Sequence, residues 1–179
     1  MIYIETARLR LRDWEEADLL PFQQMNANRQ VRRYFPSLLS YARTQRDYEA
    51  MRDILETEGI GLFAVELKAT GEWIGFIGIT YMPAGVISEL TDEPFYEIGW
   101  RLIPDVWGNG LATEGARAVM TYAYEQKHID TLYSLTAAVN KPSRRVMEKL
   151  GMTQYDTFEL STANDYHKLK AQVCYRWKA

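Results

Sequence analysis

A single mixed α/β domain is the fold class this sequence predicts, and three observations carry the prediction. Segments of period-two hydrophobicity alternate with segments of helical period, in the order β-α-α-β-β-β-α-β-α-β-β. The length, 179 residues, suits one domain. Apolar residues make up 47% and charged residues 25%, with 13% aromatic, so a sizeable core is available and the signature of a disordered chain is missing.

Each element follows from its local pattern. Residues 5–12 alternate Ala7, Leu9 and Leu11 with Arg8, Arg10 and Arg12, which reads as a half-buried first strand with a solvated arginine face. Glu15 to Asn28 reads as helix, with Asp18 as cap and Pro21 tolerated in the first turn. Thr44-Gln-Arg-Asp47 has a capping-box pattern opening a second helix, whose Tyr48, Met51 and Leu55 share a face and which Gly59 stops. Leu62–Leu67 and Trp73–Tyr81 are strands joined by a five-residue loop containing Gly71, as in an antiparallel hairpin. Residues 82–94, rich in Pro and acids, form a solvated loop.

Phe95–Leu102 is the fourth strand, with Phe95, Glu97, Gly99 and Arg101 on one face. Ala112–Gln126 is a helix lined by Ala112, Ala116, Met120 and Ala123, and Leu132–Val139 is the fifth strand. Ser143 caps a short helix through Leu150, ended by Gly151. Two more strands are expected near Met152–Leu160 and at Gln172–Trp177.

Composition excludes several function classes. Net charge is −3, from 21 basic and 24 acidic residues, which gives no electrostatic case for nucleic acid. Cys174 is the only cysteine, so no intrachain disulfide is available. With His128 and His167 it cannot make a Cys/His zinc site, and no metal is expected. No window approaches the roughly 20 apolar residues of a membrane helix. The opening Met-Ile-Tyr-Ile-Glu-Thr lacks a signal-peptide pattern, so a cytoplasmic location is expected.

The chemistry concentrates in Pro104-Asp-Val-Trp107-Gly108-Asn109-Gly110-Leu111-Ala112-Thr113. This segment leaves a strand, passes two glycines and enters a helix through small residues. Glycine permits close backbone approach, and the first helical N–H groups have no intrahelical partner, so the turn suits a phosphate or pyrophosphate. A tight strand-to-helix turn that needs glycine for its own sake is the competing reading. A Walker A loop is excluded because no Gly-Lys-Ser/Thr occurs. The dinucleotide fingerprint also fails, with Thr113 where its third glycine belongs.

The loop resembles the pyrophosphate loop of the GNAT N-acetyltransferase superfamily, Arg/Gln-x-x-Gly-x-Gly/Ala, with Trp107, Gly110 and Ala112 at the matching positions. Tyr96-Glu97-Ile-Gly99-Trp100 and Trp107-Gly-Asn-Gly-Leu-Ala-Thr-Glu114 look like the ribosomal-protein-alanine acetyltransferase branch, in which Trp commonly replaces the basic residue. Asn140-Lys-Pro-Ser143-Arg-Arg-Val-Met-Glu-Lys-Leu150-Gly151-Met and the opening Thr6–Arg12 extend the likeness over residues 5–177, a single N-acetyltransferase domain. The resemblance implies a strongly bent mixed sheet flanked by helices and splayed between the fourth and fifth strands.

It also implies acetyl-coenzyme A as cosubstrate and a primary amine as acceptor: a protein N-terminal alanine or serine, or a small amine. A non-catalytic acyl-coenzyme A-binding module or sensor is the rival. No nucleic acid or membrane partner is expected, and a homodimer is left open. By carry-over, backbone N–H groups of Gly108, Asn109, Gly110, Leu111, Ala112 and Thr113 hold the pyrophosphate, with Trp107 at the head of the loop. The strand edge at Leu102 and Ile103 pairs with the pantetheine amides like an added strand.

Asn140 bonds that arm from the other side, or is only a turn residue before Pro142. Glu97, raised in pKa by burial between Tyr96 and Ile98, serves as base through water, or else pairs with Arg101. Ser143, besides capping, lies where a hydroxyl could protonate the thiolate; Tyr133, Tyr155 and Tyr166 are rival donors. Arg144, Arg145 and Lys149 lie near the expected 3′-phosphate or are merely solvated. Cys174 reads as a small core residue. Trp14, Phe22, Phe35 and Tyr41 read as core, some of them lining an acceptor pocket formed by the first two helices.

Overall fold

Thr6 decides where the first strand breaks. Its N–H donates to the Leu9 carbonyl at 3.0 Å and its hydroxyl accepts the Leu9 N–H at 2.9 Å, closing a turn. The stretch predicted as one strand is therefore two, β1 (Ile2–Glu5) and β2 (Leu9–Arg12), paired antiparallel. The computed structural model describes residues 1–161 and 167–179, the side chain of His167 excepted.

The predicted arginine face is solvated at Arg8 and partly at Arg10, but not at Arg12. Arg12 is buried, forked onto Asp18 at 2.8 and 3.0 Å and bonded to Glu66 at 2.9 Å. Arg10 pairs with Glu66 and Glu5, and Arg8 with Glu114. Leu9 and Leu11 are fully buried, as their spacing requires.

A 3-10 turn at Glu16–Asp18 leads into α1 (Leu19–Asn26). The second helix, α2 (Tyr41–Glu58), starts before Thr44 because Ser40 caps it, accepting the Arg43 N–H at 3.2 Å. Thr44 lies inside the helix, where its buried hydroxyl accepts Asn26 Nδ2 at 3.1 Å. Gly59 ends α2 at φ 62°, the left-handed conformation expected of a terminating glycine.

The rest of the chain runs β3 (Leu62–Leu67), β4 (Trp73–Met82), β5 (Phe95–Leu102), a 3-10 turn (Pro104–Val106), α3 (Leu111–Lys127), β6 (Thr131–Ala137), α4 (Lys141–Lys149), β7 (Thr153–Glu159), α5 (His167–Lys170) and β8 (Ala171–Lys178). The strands form one open eight-stranded sheet in the order β1-β2-β3-β4-β5-β6-β8-β7. Phe76 packs against Phe22, with ring centroids 5.9 Å apart, whereas its neighbour Ile77 abuts Gly115. Successive strand residues face opposite ways, so α1 with α2 and α3 cover opposite faces. Under α1 and α2, Trp14, Phe22, Tyr48, Trp73 and Phe76 form one aromatic cluster.

The sheet divides at the one parallel junction among the described residues. β4 and β5 pair from Gly75↔Leu102 to Met82↔Phe95, and β6 and β8 from Thr131↔Lys178 to Ala137↔Gln172. Between these two blocks, β5 and β6 share the single bridge Glu97↔Tyr133. Just beyond it the Ser134 hydroxyl, not a strand N–H, donates to the Ile98 carbonyl at 2.9 Å. Leu102 and Leu135 then pair only with partners on their own sides, so the strands splay as the resemblance implied.

Candidate functional site

The loop from β5 into α3 is shaped by its own polar groups. Gly108 (φ 77°) and Gly110 (φ 76°) take left-handed conformations that L side chains rarely adopt. The Asn109 amide donates to the Val106 and Trp107 carbonyls at 3.1 and 3.2 Å, and the Trp107 indole donates to the Leu102 carbonyl at 2.8 Å. Gly110 supplies no side-chain cap to α3, which leaves the N–H groups at Leu111, Ala112 and Thr113 without a side-chain partner. The positive end of this helix therefore opens on an uncapped cradle.

Glu114, in the first turn of α3, is held away from that cradle by the β1–β2 turn. It accepts Thr6 Oγ1 at 2.6 Å, the Arg8 N–H at 2.9 Å and Arg8 Nε at 2.7 Å. Burial alone would raise its carboxyl; the bonds from Thr6 and Arg8 hold it below its ordinary value. Arg8 Nη1 also donates to the Asn109 carbonyl at 2.9 Å, so β1–β2 buttresses the loop.

Hydrogen-bond alternation sorts the edge of β5. The Ile103 N–H donates to the Ile74 carbonyl at 2.9 Å and so faces β4. Alternation then turns the backbone groups of Ile98, Trp100 and Leu102 toward the splay, consistent with Ser134 reaching the Ile98 carbonyl. Leu102 thus faces the splay, with its N–H open there and its carbonyl held by the Trp107 indole, and Ile103 does not. Trp100, which the sequence reading passed over, joins Leu102 there; the two-residue period from Leu102 was the signal for it.

Glu97 occupies the vertex of the splay, with Tyr133 directly across from it. It makes no ion pair with Arg101, whose guanidinium turns instead to Asn26 Oδ1 at 3.4 Å. Burial pushes the Glu97 carboxyl up to about 7, opposed only in part by the Leu135 backbone N–H. Tyr133 stacks edge-on against both Phe95 and Tyr155, with centroids 5.5 Å away in each case. Tyr155 is half exposed, and Tyr166 lies outside the described residues.

Across the splay the cap of α4 is not Ser143. Asn140 is the N-cap, its Oδ1 accepting the Ser143 N–H at 3.3 Å. Its amide nitrogen donates to Thr136 Oγ1 at 2.9 Å and Ser143 Oγ at 3.1 Å. Proline at the second helical position moves the start of α4 upstream, which places the capping side chain at Asn140. The Ser143 hydroxyl is left with a proton that no described residue accepts. Asn140 is nearly fully buried, and both its donors are spent inside the protein.

The remaining candidates divide by burial. Arg144 is partly buried, bonded to the Ala138 carbonyl at 3.0 Å and the Tyr175 hydroxyl at 3.3 Å, whereas Arg145 and Lys149 are exposed. Cys174 is fully buried, with its thiol pushed up to about 12 by burial and by the charge of nearby Glu97. Trp14 and Phe22 belong to the core, but Phe35 and Tyr41 are exposed by 40% and 52%. Among the described residues there is no group of three His, Cys, Asp or Glu side chains placed to hold a metal, and no helix long and apolar enough to cross a membrane.

Comparison with known proteins bears on the family and the fold. The acetyltransferase (GNAT) domain matches residues 8–153. The protein YkkB of Bacillus subtilis (strain 168) is 31% identical over 148 residues, covering 82% of this chain and 83% of that protein. An acetyltransferase from Agrobacterium tumefaciens (strain C58) superposes with a TM-score of 0.77 at 26% identity, covering 98% of this chain and 94% of that one. RimL, a ribosomal L7/L12 α-N-protein acetyltransferase solved in complex with coenzyme A, shares the fold, with a TM-score of 0.77 at 16% identity over 99% of this chain and 98% of that one. A domain match across most of the sequence and a relative aligned over four fifths of it make this chain a member of the GNAT acetyltransferase family.

Proposed function

We propose that this protein transfers the acetyl group of acetyl-coenzyme A to a primary amine by direct attack. The observation that carries the proposal is the placement of a carboxylate poised near neutrality, Glu97, at the vertex of the β5–β6 splay. An acyl donor lodged in that splay would meet the open edge of β5 at Trp100 and Leu102. Its pyrophosphate would meet the uncapped N–H groups of residues 108–113, with Trp107 fixing the loop. The Asn140 Oδ1 retains one lone pair for the pantetheine arm.

Chemistry follows from these positions. The acceptor nitrogen must be neutral to attack, and Glu97 takes its proton through water. A bond forms from nitrogen to the carbonyl carbon, and the carbon–sulfur bond breaks. The departing thiolate takes a proton from Ser143, whose hydroxyl has no other acceptor among the described residues, or from Tyr133 beside Glu97, and the proton that Glu97 took from the nitrogen returns through water to that hydroxyl. No acyl-enzyme is required.

The motifs around Glu97 and Trp107 support the ribosomal-protein-alanine branch, hence a protein N-terminal alanine or serine, or a small amine, as acceptor. Thiol release is to be measured over a panel of peptide N-termini and small amines at neutral to alkaline pH. Release with at least one acceptor is expected. Tight coenzyme binding without release for any of them would make the protein a binding module.

A further inference from the structure

Two arginines on the acceptor side of the sheet, Arg32 buried and Arg101 partly buried, have no counter-anion among the described residues. Arg101 follows Glu97 by four residues on β5 and shares its face, about 13 Å along the strand at 3.3 Å per residue. Its guanidinium lies 4.5 Å from the centroid of the Phe35 ring and 5.2 Å from that of Phe76. Arg32, only 9% exposed, lies 4.3 Å from the same Phe35 ring and donates Nε to the Ser37 carbonyl at 2.9 Å. One phenyl ring thus serves two guanidinium groups.

Neither arginine makes an ion pair among the described residues. Asp47, the acid whose field reaches both, is engaged by Arg43 Nε at 2.8 Å. Each guanidinium carries five N–H donors, and each spends one on the protein. Buried arginines are ordinarily paired, because an unpaired buried charge is costly. Asn26 is fully buried, and its amide nitrogen is held by Thr44, which turns its oxygen toward Arg101 and fixes that side chain in place. Burial and the like charge of Arg32 bring Arg101 down to about 10, the response of a cation missing its counterion.

We propose that Arg32 and Arg101 form an anion subsite of the acceptor pocket, which takes a carboxylate carried by the amine substrate several bonds from its nitrogen. The coenzyme phosphates are assigned to the α3 amides, which leaves this pair for the acceptor. The location of the amine at Glu97 rests on the proposed acetyl transfer; the anion subsite does not. The acidic loop 82–94 would favour a basic acceptor by charge alone, and the arginine pair selects against one.

The test compares ω-aminohexanoate with its carboxamide and, in a second arm, Ala-Glu with Ala-Gln peptides, for the parent, Arg32→Met, Arg101→Met and Arg101→Lys. The parent is expected to prefer the carboxylate at least about tenfold in kcat/KM, the size of a charge-assisted hydrogen bond. Each methionine variant should abolish that preference, and Arg101→Lys should restore part of it. The arm that shows the preference identifies the source of the carboxylate. Equal kcat/KM within both pairs overturns the proposal. So does an intact preference with weakened acetyl-coenzyme A binding in the methionine variants, since the pair would then serve the coenzyme.

Calorimetric titration with adipate reads the subsite without turnover. Binding by the parent and not by the methionine variants supports the subsite even where no amine is acetylated, and no binding by the parent overturns it. Removing an unpaired buried charge should leave Tm unchanged or raised. A fall of more than about 5 °C in both methionine variants would make the pair structural and overturn the proposal.

Discussion

Replacing Glu97 by Gln removes a carboxyl whose proton the fold holds more tightly than the unfolded chain does. Its ordinary value is 4.5, and burial pushes it up to about 7. Below 4.5 the group is protonated in both states and costs nothing. Between 4.5 and 7 the unfolded chain releases the proton while the folded chain keeps it, so stability falls as pH rises through that window. At 1.36 kcal/mol per pKa unit the penalty reaches about 3 kcal/mol above pH 7. Glu97→Gln is therefore expected to match the parent near pH 4.5 and to exceed its stability by up to about 3 kcal/mol at pH 8, read by urea denaturation at both values. Its kcat/KM should fall about 10²–10⁴-fold, the usual worth of a positioned base, and the parent's rising limb near pH 7 should vanish. A stability difference independent of pH, or a rising limb at pH 4–5, would refute the reasoning.

Three further outcomes follow from named contacts. Gly110→Val meets open space, with Arg8 Nη2 its nearest neighbour at 3.8 Å, but must hold φ 76°; it should cost about 1–3 kcal/mol in a thermal melt and weaken acetyl-coenzyme A binding by calorimetry. Unchanged affinity in the folded variant would remove the phosphate role from the loop. Asp18→Ala strands the buried Arg12 and should cost about 3–5 kcal/mol in denaturant unfolding; a loss under about 1 kcal/mol would show that Glu66 alone satisfies it. Asn140→Ala removes the α4 cap and should cost about 1 kcal/mol, whereas Ser143→Ala should leave stability nearly unchanged. The reverse order would return the cap to Ser143.

What the sequence revealed and what it hid divide along the range of the interactions. The strand and helix periods, the glycine stop at Gly59 and the αL turn at Gly151 are local, and they stood as read. So did the two-glycine entry to α3. The break at Thr6 and the two displaced caps, Ser40 and Asn140, are also local, but several Ser, Thr and Asn side chains compete within a few residues, and the pattern alone does not choose among them. The burial of Arg12 depends on Glu66, 54 residues away, and the anchoring of the loop on a Thr6–Glu114 bond spanning 108. Arg101 meets Asn26 across 75 residues, so nothing in its neighbourhood marked it. The splay came from family likeness, because a strand's own period says nothing about where its partner leaves it.

Product analysis with isotopically labelled acetyl-coenzyme A tests direct acetyl transfer at the β5–β6 splay most directly. The protein is mixed with the best acceptor from the amine panel, quenched over time, and both the amine and the intact chain are weighed. Labelled amide should appear in equal amount with free thiol, while the mass of the protein stays unchanged at every time point. Label accumulating on the protein before the amide, or thiol released with no amide formed, would contradict it.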